Sequence, residues 1–209
     1  MASYYGIEIE TTPNFRMGID NESSEFKKIN PNCTVPVLEI PSEGVIYESA
    51  AIVRYLARLS KGTLYGKSIF ENGLVDQWIE WCGWNIDLPS MAWLYPIKGF
   101  VPDNLNRTKK AKSDIRKALQ ILNEHLLNKT YLVGEEITIA DIFVVCSLYP
   151  LYECVLDPGF RSVFPNTNKW FLHCINQPNF FKVIGNIELA KKMSVAKVKN
   201  TPLKKKRKC

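Results

Sequence analysis

Residues 33 to 56 read CTVPVLEIPSEGVIYESAAIVRYL. A short apolar run enters the Val35-Pro36 step, turns at Pro41-Ser42-Glu43-Gly44, runs on through Val45-Ile46-Tyr47, and meets Glu48-Ser49 where a helix begins. That order of parts could hold a small zwitterionic peptide. A second constellation serves structure. Thr138 precedes Asp141 by three positions at the head of an apolar run, the signature of a capping box. Each side chain of such a box satisfies a backbone N–H orphaned at the helix start, and the cap contributes about 1 kcal/mol. The remaining candidates are sparse. His125 and His173 are the only imidazoles, and Cys33, Cys82, Cys146, Cys154, Cys174 and Cys209 show no CxxC or paired spacing, so no metal site is expected.

The elements that must carry these residues fall into two parts. Tyr4 to Glu10 alternates apolar and polar residues and predicts a strand. Ser24 can cap a short helix through Lys28, and the Asn30-Pro31-Asn32 cluster ends it. Val37–Ile40 and Val45–Tyr47 predict an antiparallel hairpin, and residues 49–59 a helix with Ile52, Val53, Leu56 and Leu59 on one face. Beyond the Lys61-Gly62 break every element to about residue 187 reads as helix. Trp78, Trp81 and Trp84 form an aromatic stripe that predicts a core face, the other reading being the wall of an apolar pocket. Pro89 and Pro96 predict a kink or stop. A helix over residues 105–128 has a charged face and an apolar one (Ile115, Leu119, Leu122, Leu126). Others follow over residues 142–156, 157–164, 166–176 and 178–183.

The net charge of +6 combines +9 in residues 190–209 with −3 in residues 1–189, so the basic character belongs to a tail. A specific nucleic-acid face on the folded part is not expected. No apolar run reaches the ~18 residues of a membrane span, and the first residues lack the basic and apolar regions of a secretory signal. Scattered cysteines in such a chain predict reduced thiols and a cytoplasmic protein. Residues 202–208, PLKKKRK, resemble a nuclear import signal, which leaves nuclear localisation as the alternative.

The hairpin closing on Glu48-Ser49, together with YLVGEEITIADI, resembles the glutathione transferase fold, in which a thioredoxin-like part precedes a helical one. The stretches PNFRMGIDNESSEFKKINPNCTVPVLE, YLVGEEITIADIFVVCSL and FPNTNKWFLHCINQPNFFKVIG more narrowly resemble the gamma subunits of eukaryotic translation elongation factor one. The resemblance implies an α+β fold with an incomplete thioredoxin-like part at residues 1–60, a helical domain at 61–189 and a Lys-rich tail at 190–209. It implies that Pro36 is cis, that the Val35 backbone pairs with the cysteinyl unit of glutathione, that Ser49 at a helix N-terminus meets the γ-glutamyl carboxylate, and that Glu48 meets the α-ammonium.

The first strand of such transferases, which carries the residue that activates the thiol, has no counterpart ahead of Tyr4. The expectation is an incomplete version of a longer chain. Cys33 sits on the wrong side of the Val-Pro step to substitute, and Tyr4, Tyr5 and Tyr47 read as packing residues. Without such a donor glutathione stays mostly a thiol at neutral pH. The expected function is therefore a non-catalytic scaffold of the elongation factor one complex, with its other subunits as partners and a homodimer allowed. No cofactor is required, and glutathione is the one the vestigial site could hold. The alternatives are a glutathione-dependent enzyme, and a nuclear adaptor that uses the tail.

Overall fold

Alternation at Tyr4–Glu10 does not produce a strand. In the computed structural model, which describes residues 1–59 and 62–196, Ala2–Tyr5 form a short helix, α1, closed by Gly6 in the left-handed region, and residues 7–12 take no regular structure. A strand needs a neighbour for its backbone donors and acceptors, and the sheet among the described residues has two strands. The front residues hook onto the later parts of the chain instead. Ser3 donates to Asn179 (3.1 Å), Tyr4 donates to Gln177 (3.0 Å), and the Tyr5 hydroxyl accepts from the Leu64 N–H (3.3 Å).

Helix α2 (Ser24–Ile29) is capped by Ser23, one residue earlier than expected, whose Oγ accepts the Phe26 N–H at 3.1 Å. The hairpin forms as predicted: β1 (Val37–Ile40) pairs antiparallel with β2 (Gly44–Tyr47), Val37 opposite Tyr47 and Ile40 opposite Gly44. Helix α3 (Ser49–Arg58) turns Ile52, Leu56 and Ala57 inward. Its Arg54 reaches across to Asp76 (2.6 Å) and Glu80 (2.8 Å), tying the front part to the helices that follow.

Those helices begin with α4 (Ile69–Cys82), which passes through a π-helical turn at Gly83–Asp87 into α5 (Leu88–Lys98). Neither proline stops the run. Pro89 follows directly on the π-helical turn, and Pro96 lies in the last turn before Gly99 closes it at φ 80. The tryptophan stripe does not stay on one face. Three residues turn an α-helix about 60° short of a full circle, so Trp78 is buried (6% exposed), Trp81 half-buried, and Trp84 stands 74% exposed.

Helix α6 (Leu105–His125) follows, then α7 (Ile139–Cys154), α8 (Pro158–Arg161), α9 (Pro165–Ile175) and α10 (Pro178–Ile184). Helix α7 runs through the core, with Ile139, Val144, Val145, Leu148 and Leu151 fully enclosed. A strap after α10 returns to its end. The Ala190 N–H donates to the Tyr152 carbonyl (2.8 Å) and the Ser194 N–H to that of Cys154 (2.9 Å). Both carbonyls belong to the last turn of α7, which has no intrahelical donors for them. The strap thus packs residues 190–194, the first part of the segment assigned to the basic tail. Residues 197–209, including the candidate import signal, lie outside the described residues.

Candidate functional site

The Val35–Pro36 bond is cis, as the resemblance implied. The loop that presents it is held by two asparagines, of which only Asn30 was expected to shape the chain, as part of a helix stop. Asn30, fully buried, donates to the Thr34 carbonyl (2.9 Å) and hydroxyl (3.1 Å) and accepts the Asn32 N–H (3.1 Å). Asn21, 3% exposed, donates to the Cys33 carbonyl (2.7 Å) and accepts the Gly18 N–H (2.6 Å). Asn30 thus satisfies one donor and two acceptors. A buried amide must find such partners to repay its desolvation. The sequence signal was present, since asparagine side chains favour hydrogen bonds to loop backbone, but nothing local showed that either would be enclosed.

Beyond β2 the chain turns sharply at Glu48, which takes φ 71. A non-glycine residue held in the left-handed region costs roughly 1–3 kcal/mol and persists where its surroundings fix it. The turn sets Ser49 as the first residue of α3, with free backbone donors beside it. Glu48 and Ser49 border a cleft of about 330 Å³ whose other walls include Glu80, Trp84, Asp87 and Phe143. Val35 and Pro36 are not among its lining residues; both are exposed on the neighbouring loop.

The charge of the cleft is mostly one sign. Ser49 and the start of α3 offer a locus for an anion, but Glu48, Glu80 and Asp87 face the same space. Glu80 is partly answered by Arg54. Burial pushes the Asp87 carboxyl up, against the hydrogen bond from Ser147. Glutathione brings two carboxylates and a single ammonium at neutral pH, so the acids beyond the one that could meet the ammonium do not favour its carboxylates. The candidate thiol activators lie elsewhere. Tyr4 is engaged with Gln177, and burial pushes its hydroxyl well above the usual phenol range. Tyr5 is turned to Leu64, Tyr47 is exposed on β2, and Cys33 faces the Pro31 carbonyl.

The second constellation is fully assembled. Thr138 and Asp141 form the capping box at the head of α7. Asp141 has no exposed surface, and its carboxylate does more than cap. One oxygen accepts the Leu132 N–H (2.8 Å) and the Trp170 indole N–H (2.9 Å), and the other accepts the Thr138 N–H (2.9 Å) and hydroxyl (3.1 Å). Burial pushes its carboxyl up, although all four hydrogen bonds favour the ionised form. Beside it His125 points Nε2 at the Leu132 carbonyl (2.8 Å) with its ring against Trp78, and burial holds its imidazole below the usual value.

A hairpin that leads through a cis Val-Pro step into a helix, packed on a helical bundle with a capped central helix, defines a glutathione transferase-like domain. The family model described as glutathione S-transferase, N-terminal domain matches residues 1–59, and that described as glutathione S-transferase, C-terminal domain matches residues 92–178. The chain is 40% identical to Elongation factor 1-gamma 3 of Oryza sativa subsp. japonica, over 97% of this chain and 49% of that protein. It is 39% identical to Elongation factor 1-gamma of Bos taurus, over 92% of this chain and 44% of that protein. The solved GST-like domain of elongation factor 1-gamma from Saccharomyces cerevisiae shares the fold at a TM-score of 0.74 and 23% identity, over 83% of this chain and 82% of that one. The chain belongs to the elongation factor 1-gamma family of glutathione transferase-like domains, and it spans about half the length of the curated relatives it matches.

Proposed function

We propose that the chain is a non-catalytic scaffold that holds other subunits of the translation elongation factor one complex together. The observation that carries this reading is the 40% identity to an elongation factor 1-gamma protein across 97% of the chain. The cleft supports it, because Glu80 and Asp87, beyond the Glu48 that could meet an ammonium, do not favour a peptide with two carboxylates. Glutathione is then not required, and any binding at Glu48 and Ser49 is weak. The working compartment is the cytoplasm, where translation takes place. Affinity purification of the tagged protein from its own cells tests this. Near-stoichiometric recovery of elongation factor subunits supports the scaffold; recovery of none overturns it.

The cis Val35–Pro36 step and the exposed start of α3 favour one second reading, a glutathione-dependent enzyme. Isothermal titration with reduced glutathione separates the two. Micromolar binding that Ser49→Ala abolishes would favour the enzyme.

A further inference from the structure

Residues 185–196 take neither helix nor strand, and the strap they form runs through Lys191-Lys192-Met193-Ser194. Both lysines and Ser194 are exposed, and Met193 is half-buried. Three backbone donors fasten this strap: Ala190 to the Tyr152 carbonyl, Met193 to the Asp157 carboxylate (3.3 Å) and Ser194 to the Cys154 carbonyl. Ile187, Leu189 and Met193 pack against the core. The Lys112 ammonium lies 3.4 Å from Met193 Sδ and 5.3 Å from the centre of the Trp93 ring. An exposed serine two and three residues beyond paired cations, on a segment without regular structure, fits the acidic substrate groove of a basophilic kinase. Ser113 gives the contrast. It is exposed and follows Lys109, Lys110 and Lys112, but it lies inside α6, where the backbone cannot open into a groove without breaking helical hydrogen bonds.

We propose that Ser194 is a phosphorylation site for a kinase that reads paired basic residues, and that the phosphate frees the outer end of the strap from α7. The step transfers the γ-phosphoryl group of ATP. The bond between Ser194 Oγ and phosphorus forms, the bond from that phosphorus to the bridging oxygen of the departing ADP breaks, and the hydroxyl proton passes to the kinase's base. The product carries roughly two negative charges at neutral pH. It stands beside the Cys154 carbonyl at the negative end of the α7 dipole, where an anion is disfavoured. Glu153 precedes that carbonyl in the chain, and Asp157 holds the Met193 N–H, so both nearby acids add to the repulsion. Lys98 acts on Cys154 but brings a single charge. Lys112 can answer the phosphate only by leaving Met193 and Trp93, which loosens the strap by a second route. Ala190, buried further up the strap, stays fastened.

The test incubates the full 209-residue chain with labelled ATP and, separately, the purified cyclic-AMP-dependent kinase and protein kinase C, and maps the label by mass spectrometry. Label at Ser194 is expected with at least one of them. The pair Lys191→Ala with Lys192→Ala is expected to slow it about tenfold or more, and Ser194→Ala to remove it. Thermal melts of the variants show that the fold survives. In the phosphorylated chain, the protection of the Met193 and Ser194 amides against hydrogen exchange is expected to fall about threefold or more, with Ala190 unchanged. The proposal falls if neither kinase labels Ser194, if the label goes to Ser113 or to Thr201 instead, or if Ser194 is labelled only in urea. It also falls if the phosphate leaves the Met193 and Ser194 amides as protected as before or protects them further, because the lysines would then have outweighed the acids. The scaffold reading is decided separately, by which subunits the unaltered bait recovers.

Discussion

The two parts of the molecule hold themselves together by different means. From Val75 to Phe180 the helices enclose a continuous apolar core with Trp93, Phe171 and Leu148 among its largest members. From Met1 to Ala51 the buried residues are Asn21 and Asn30, and no apolar side chain in that stretch is enclosed. The front is a hydrogen-bonded framework leaning on a core that belongs to the other part. Burial of apolar area is non-directional and tolerates repacking, whereas an enclosed amide depends on particular partners. The ligand-like loop at Val35-Pro36 therefore rests on the less forgiving of the two foundations.

The largest effect that could break this contrast is expected at Asp141, where the helical part also depends on one polar group. Asp141→Ala strands three buried N–H donors and is expected to cost about 3–5 kcal/mol, read from urea unfolding. A loss below about 1 kcal/mol would show that solvent or a shifted neighbour replaces the carboxylate. Asn30→Ala is expected to cost about 1–2 kcal/mol, confined to the front. Hydrogen exchange should speed up at residues 32–35 while α7 keeps its protection. Loss of protection throughout would mean that the two parts fold as one unit.

A smaller effect is expected with pH. Folding lowers the His125 value below the roughly 6.5 of an unfolded imidazole. Its neutral form is thus favoured, and the stability this brings is complete above that value and drains away as pH falls through the folded one. The stability gap between the parent and His125→Gln should narrow between pH 7.5 and 5. A constant gap would mean that the ring does not titrate there. The smallest effect is expected at Trp84: Trp84→Ala should change stability by no more than about 0.5 kcal/mol, against about 3–5 kcal/mol for Trp78→Ala, both from thermal melts.

What the sequence made legible follows the range of its signals. The capping box, the hairpin and α6 are local, set by residue types a few positions apart, and Thr138, Asp141 and Ile115 stand where their spacing placed them. The cis Pro36 came from resemblance and is also present. The strand expected at Tyr4–Glu10 failed because pairing is not local. The tryptophan stripe held at Trp78 and in part at Trp81, and left the core at Trp84, which lines the cleft, since three-residue steps leave a helical face within two strides. Within the site, Glu48 and Ser49 share a cleft, while Val35 and Pro36 stand outside it. The acids that set the cleft's charge, Glu80 and Asp87, come from a different part of the chain, and nothing in their own neighbourhoods announces that meeting.

The strap has a mechanical consequence. Because Ala190 and Ser194 are fastened to the last turn of α7, tension applied beyond residue 194 reaches the central helix before it reaches α10. A load borne there would be resisted by the whole packed interior, and the outermost helix would be spared from peeling away first.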